Sequence, residues 1–112
     1  LIATPEYNFG VPGVLKNALD WASRPADASP LRRKPVAIMG ASPGMTGTAR
    51  AQAQLRQTLA YNGCPILPPP EVLVAKVHER LTDGELTDET TRGFIESAMT
   101  RFAKWLGEGA DR

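Results

Sequence analysis

Two short segments of this chain hold residue types that can grip a flat, polar ring. Pro5-Glu6-Tyr7-Asn8-Phe9-Gly10 sets a carboxylate, a phenol and an amide side by side on a proline-stiffened turn. The backbone N–H groups of Glu6, Tyr7 and Asn8 suit a planar heterocycle with alternating donors and acceptors, and Tyr7 adds aromatic surface. The second segment, Gly40-Ala41-Ser42-Pro43-Gly44-Met45-Thr46-Gly47, carries glycines at 40, 44 and 47 that let backbone approach a ligand closely. Each segment also reads as a plain tight turn, since short glycine-bearing patterns recur by chance. Elsewhere the reactive side-chain types stand alone. His78 has no second His or Cys to share a metal, so it reads as a surface residue. Cys64, between a helix stop and a proline, reads as a small packed hydrophobe. A general-acid role for Glu6 is disfavoured because loop carboxylates are usually solvated. Arg50 and Lys16 read as charges on exposed helix faces, and Trp21 as a packed residue at the end of a helix stripe.

The elements that must position these loops follow from periodicity. Leu1 to Thr4 reads as the end of a buried strand, stopped by Pro5. Val11, Val14, Leu15, Ala18, Leu19 and Ala22 make one continuous helical face, with Pro12 in the first turn where its missing N–H costs nothing. Pro25, Asp27 and Pro30 mark the next loop. Pro35 to Met39 is a second strand, apolar on both faces and so expected to be buried on both. From Thr48 the pattern is helical, with Ala51, Leu55 and Leu59 spaced by four. Ala49, Ala53 and Ala60 are small enough to suggest close packing on a sheet, and Asn62-Gly63 is a helix stop. Pro65 to Pro70 reads as a rigid connector into a third strand, Val72 to Ala75. Asp83-Gly84 marks a turn, and Thr87-Asp88 supplies capping side chains. Phe94, Ile95, Ala98, Met99, Phe102, Ala103 and Leu106 form the stripe of a last helix closed by Gly107.

Strand and helix therefore alternate three times, which argues for a parallel sheet covered on both faces. In such sheets ligands bind at the carboxyl ends of the strands, where both candidate loops lie. Three strands are few, and an open apolar edge is an aggregation template. The chain opens on Leu1 rather than Met, straight into an apolar run. The expectation is that residues 1–112 are the C-terminal part of a single domain. Two upstream βα units, roughly 60 residues, would complete a five-stranded, flavodoxin-like three-layer sheet of order 2-1-3-4-5. Only its last three βα units are then present here.

Composition limits the partners. The 112 residues carry 13 Lys+Arg against 12 Asp+Glu, a net charge of +1, which gives no electrostatic case for nucleic acid or an anionic membrane. No apolar run approaches the ~18 residues of a membrane span. The single cysteine rules out an internal disulfide and fits a reducing cytoplasm.

Pro5-Glu6-Tyr7-Asn8, followed by Val11-Pro12-Gly13-Val14-Leu15-Lys16-Asn17-Ala18-Leu19-Asp20-Trp21, resembles the signature of the NADPH-dependent FMN reductase family. Gly40-Ala41-Ser42-Pro43-Gly44 with Gly47-Thr48-Ala49-Arg50-Ala51-Gln52 is similar to that family's second flavin-side segment, in the same order. The resemblance implies an FMN-dependent oxidoreductase that takes electrons from NADPH or NADH and gives them to a quinone, free flavin or other small acceptor. It implies that Pro5, Glu6, Tyr7 and Asn8 hold the flavin ring, largely through backbone, and that Ala41 and Ser42 approach it from the adjacent strand end. No catalytic side chain and no metal are implied, because the cofactor carries the chemistry. A cytoplasmic homodimer or homotetramer is the family habit. Three departures stand out: Ala41 where a serine is common, Gly10 where a serine is frequent, and Thr48 where a second glycine is frequent. The family's phosphate-cradling first loop is also missing from these residues, so this stretch alone is expected to bind FMN poorly. The alternative is a non-catalytic flavodoxin-like module that carries flavin or serves as an interaction domain.

Overall fold

Apolar runs with strand and helix periods assemble into three βα units, with a small hairpin inserted in the third. The computed structural model describes residues 1–110. They run β1 (Ile2–Thr4), α1 (Gly13–Ala22), β2 (Ile38–Ala41), α2 (Ala49–Tyr61) and β3 (Val72–Val74). A single 3-10 turn (Val77–Glu79), the hairpin strands β4 (Leu81–Thr82) and β5 (Glu85–Leu86), and α3 (Glu89–Gly107) follow. β1, β2 and β3 lie side by side in that order, all parallel, with Ile2 opposite Ile38 and Met39 opposite Val72.

Alternation along the strands sends side chains to two different environments. Ile38 and the preceding Val36 face α1 and α2, where Leu19, Leu55, Leu59 and Cys64 close the core, and Ile2, Val11 and Leu15 pack against its margin. Leu55 and Leu59 have no exposed surface, and each such leucine contributes roughly 1.5–3 kcal/mol. On the opposite face Ala3, Met39, Ala41, Val72 and Val74 border a cleft of about 310 Å³ together with Ile95 of α3. Helices thus lie on both faces of the sheet.

Several elements differ from what periodicity suggests. α1 buries only part of its expected stripe: Leu19 is in the core and Val11 and Leu15 pack beside it, whereas Val14 is 82% and Trp21 76% exposed. The apolar stripe is wider than the sheet surface that α1 contacts among the described residues. Ala53 and Ala60 of α2 are exposed; the inward face is Ala51, Gln52, Leu55 and Leu59. Close approach of chain to chain comes from glycines instead. A Cβ on Gly47, at φ +55°, would stand 2.8–2.9 Å from backbone atoms of Leu73, Val74 and Ala75. The second strand begins at Ile38, because Val36 pairs elsewhere. Its N–H donates to Pro65 O at 2.9 Å, and its C=O accepts from Leu67 N–H at 2.8 Å. The proline segment therefore begins as a parallel bridge beside Val36 rather than as a free connector. Asp83 and Gly84 form the β4–β5 turn, both left-handed at φ +50° and +80°. Asp88 caps α3 by accepting from Thr91 N–H at 2.9 Å. The helix includes Gly107 and gives way to a left-handed Gly109 (φ +80°).

Candidate functional site

The carboxyl ends of all three parallel strands meet at one edge, and their loops are bonded together there. After β1 the chain makes a two-residue hairpin. Tyr7 N–H donates to Gly10 O at 3.1 Å and Gly10 N–H to Tyr7 O at 3.0 Å, with Asn8 (φ +49°) and Phe9 (φ +69°) left-handed at the tip. Asparagine is at home in that conformation and glycine is favoured at the next position. A phenylalanine held there is strained by roughly 1–2 kcal/mol. Strain of this kind persists only where surrounding contacts over-determine it.

Those contacts come from α2. Glu6 Oε1 accepts from Ala51 N–H at 2.8 Å, and Gln54 Oε1 accepts from Val11 N–H at 2.7 Å. Between them the Arg50 guanidinium lies 3.8 Å over the centre of the Phe9 ring, with its Nη1 4.0 Å from Glu6 Oε2. Such a cation over an aromatic face is worth about 0.5–1 kcal/mol at an exposed site. The loop after β2 is held from the other side. Ser42 N–H donates to Val74 O at 3.0 Å, Val77 N–H to Ser42 O at 3.0 Å, and Lys76 N–H to Gly44 O at 2.9 Å. The segment after β3 is thus a third wall that sequence reasoning did not single out.

The six expected binding residues divide by role. Pro5 and Ala41 line the same cleft at the strand ends, and Ser42 follows Ala41 directly. Asn8 sits at the hairpin tip, and Tyr7 beside it is 62% exposed. The amides of Glu6 and Asn8 have no partner among the described residues, whereas the Tyr7 N–H is already engaged by Gly10 O. Of the three amides expected to face a ring, two remain available. Glu6 departs from the solvated-carboxylate expectation: its side chain is 12% exposed and both oxygens face protein donors. Arg50 and Gln54 carry no local signal of these contacts, since their partners lie more than 40 residues earlier in the chain. Thr48, where the resemblance leads one to expect glycine, is fully buried at φ +75°, and its hydroxyl accepts from Gln52 Nε2 at 3.1 Å. Its Oγ1 fills the space above Gly40, where a Cβ would lie 2.7 Å from Thr4 O. Among the described residues no group of three His, Cys, Asp or Glu is placed to hold a metal ion, and no helix is long and apolar enough to cross a membrane.

A parallel sheet with helices on both faces and ligand-type loops at the strand ends is the architecture of a flavodoxin-like α/β domain. The solved flavoenzyme NAD(P)H:(acceptor) oxidoreductase FerB from Paracoccus denitrificans superposes on it with a TM-score of 0.83 at 38% identity, over 96% of this chain and 59% of that one. Residues 1–79 match the NADPH-dependent FMN reductase family, and the chain belongs to that family. It is 46% identical over 107 residues to an NAD(P)H-dependent FMN reductase of Pseudomonas aeruginosa, covering 95% of this chain and 57% of that protein. It is 45% identical over 107 residues to a 2-hydroxy-1,4-benzoquinone reductase of a Burkholderia species, covering 95% of this chain and 58% of that protein. The chain thus spans little more than half the length of these relatives.

Proposed function

We propose that this chain is the C-terminal part of an FMN-dependent NAD(P)H oxidoreductase domain that serves a quinone, free flavin or other small acceptor. The observation that carries the reading is the pair of unengaged amides, Glu6 and Asn8, on a strained hairpin beside an apolar cleft. An isoalloxazine ring is flat, apolar on its faces, and edged with carbonyl oxygens and ring nitrogens. The site fits it: Pro5 and Ala41 offer apolar walls, two amides offer donors to the edge, and the Asn8 side chain can donate and accept. When bound, FMN supplies the electron- and hydride-transfer chemistry. The chain's own work is to hold the ring still and to bias its charge. Fixed N–H donors at the ring edge favour negative charge there and need no reorganisation as it develops. Tyr7 and Phe9 leave aromatic surface beside the hairpin for a second planar molecule. No side chain of the site is required as acid or base.

The relatives' greater length and two features of the fold support further residues upstream of Leu1. The outer edge of β1 has no strand beside it among the described residues, and the α3-side cleft is open. We assign to those upstream residues the strands that complete the sheet and the grip on the FMN phosphate. Val14, Trp21 and Tyr61, exposed on α1 and α2, support self-association as a homodimer or homotetramer, and the lone thiol supports a cytoplasmic setting. The test is a titration of the protein, carrying its native residues upstream of Leu1, into FMN with flavin fluorescence as the signal. Saturable quenching is expected, and fluorescence that stays at the free-flavin level rejects the reading.

A further inference from the structure

We infer that Glu6 is a positioning residue: its carboxylate caps α2 from the neighbouring loop and so locks the two strand-end loops into one rigid cradle. The inference rests on the cofactor site proposed above for what the cradle holds, but its structural basis is independent of it.

A helix begins with four N–H groups that have no helical partner and with the positive end of its dipole. α2 does not supply its own remedy. Thr48, at the capping position, is left-handed and makes no side-chain cap bond, and the first turn of the helix has no acidic residue. The missing acceptor arrives from 45 residues earlier in the chain, as Glu6 Oε1 bonded to Ala51 N–H at 2.8 Å. The bond is sheltered, since the Glu6 side chain is only 12% exposed, and a carboxylate acceptor makes it one of the stronger kinds.

The second tie gives the first its consequence. Three residues along α2, Gln54 accepts from Val11 N–H at 2.7 Å, so the hairpin is held at both of its legs, before Tyr7 and after Gly10. Gly10 leaves room for this, because a Cβ there would stand 2.7 Å from Gln54 Oε1. α2 in turn follows the loop that begins at Ser42, directly after Ala41 ends β2. The amides of Glu6 and Asn8 are therefore tied to Ala41 and Ser42 through α2, in addition to the pairing of β1 with β2. With Oε1 bonded to Ala51 N–H and Oε2 turned toward Arg50 Nη1 at 4.0 Å, the carboxylate serves geometry.

The test compares Glu6→Ala, Glu6→Gln and Glu6→Asp in the protein with its native upstream residues. FMN affinity is read by fluorescence, and amide hydrogen exchange at Gly10 and Val11, the hydrogen-bonded amides of the hairpin, is read without flavin. Alanine removes the acceptor and aspartate withdraws it by one methylene, whereas glutamine keeps an oxygen in place. Alanine and aspartate are expected to weaken FMN binding about tenfold and to speed exchange at the hairpin by a similar factor; glutamine is expected to stay within about threefold of wild type. Should the alanine variant not fold, the aspartate and glutamine pair carries the comparison. Wild-type exchange at Gly10 and Val11 in the alanine or aspartate variant overturns the inference. So does a glutamine variant as loose as alanine. If wild type itself binds no FMN, the functional reading fails, while the exchange data still decide the role of Glu6.

Discussion

Replacing Gly47 by alanine puts a Cβ where the backbone of β3 already lies. At φ +55° the new atom would stand 2.8 Å from the Leu73 carbonyl carbon and 2.9 Å from both Val74 C and Ala75 N. Real Cβ contacts are not that short, and none of the three neighbours is a side chain that can rotate away. Two costs add. An L-residue in the left-handed region loses about 1–2 kcal/mol relative to glycine, and forced overpacking costs about 1–3 kcal/mol more. The expected loss is therefore about 2–5 kcal/mol. Gly63 separates the two terms, because it is also left-handed (φ +73°) but has nothing within 4 Å of its Cβ position. Gly63→Ala should lose only the conformational part, about 1–2 kcal/mol. Urea unfolding of both variants, with the slope checked for constancy, measures the difference directly. FMN affinity should fall for Gly47→Ala, whose loop carries Ser42, and hold for Gly63→Ala. Equal destabilisation by the two substitutions would show that β3 yields freely at this point and refute the close-packing argument.

Three further outcomes are expected. Asn8→Ala should weaken flavin retention by about 1 kcal/mol, roughly fivefold, because alanine tolerates φ +49° poorly; Asn8→Gly keeps the turn and isolates the side-chain amide's share. Asp88→Ala should lower the melting temperature at neutral pH. The Thr91 hydroxyl and amide hold the Asp88 carboxyl below the usual carboxylate range, with Arg80 adding to the effect. Its folded-state pKa lies below the unfolded one, so its contribution is complete above the unfolded value and disappears as pH falls through the folded value. The gap between wild type and variant should accordingly close below about pH 4. A gap that persists there contradicts the capping assignment. Cys64 is pushed up by burial, partly opposed by Lys34, and its Sγ donates to Leu31 O at 3.1 Å. Alkylation followed by mass spectrometry should be slow in the native protein and reach the free-thiol rate in denaturant, whereas equal rates would show the thiol to be open to solvent.

Much of the scaffold was legible because it rests on local rules. Apolar runs at 35–39 and 72–75 announce strands, found at 38–41 and 72–74, the spacing of Leu55 and Leu59 announces a helix, and Asp88 announces a helix start. The two strand-end loops could be read from their prolines and glycines. What periodicity could not supply is anything that depends on partners far along the chain. The Glu6–Ala51 and Gln54–Val11 bonds, the stacking of Arg50 on Phe9 and the bridge from Val36 to Ile66 leave no trace in spacing. Strands of two residues, as in β4 and β5, are too short to show a period. Trp21 misled in the opposite direction: its apolar character placed it inside, but the surface available to α1 is narrower than its stripe. Thr48, which departs from the pattern the resemblance implies, is accommodated because its hydroxyl accepts from Gln52 and its bulk is taken up above Gly40.

The most direct test of the proposed activity is an anaerobic visible absorption spectrum of the FMN-loaded full-length protein before and after NADPH. The account predicts that the flavin bands bleach on addition and return when a benzoquinone is supplied. Bands that persist under NADPH would contradict it and leave a flavin carrier reduced by another protein; failure to retain FMN at all would remove the site itself.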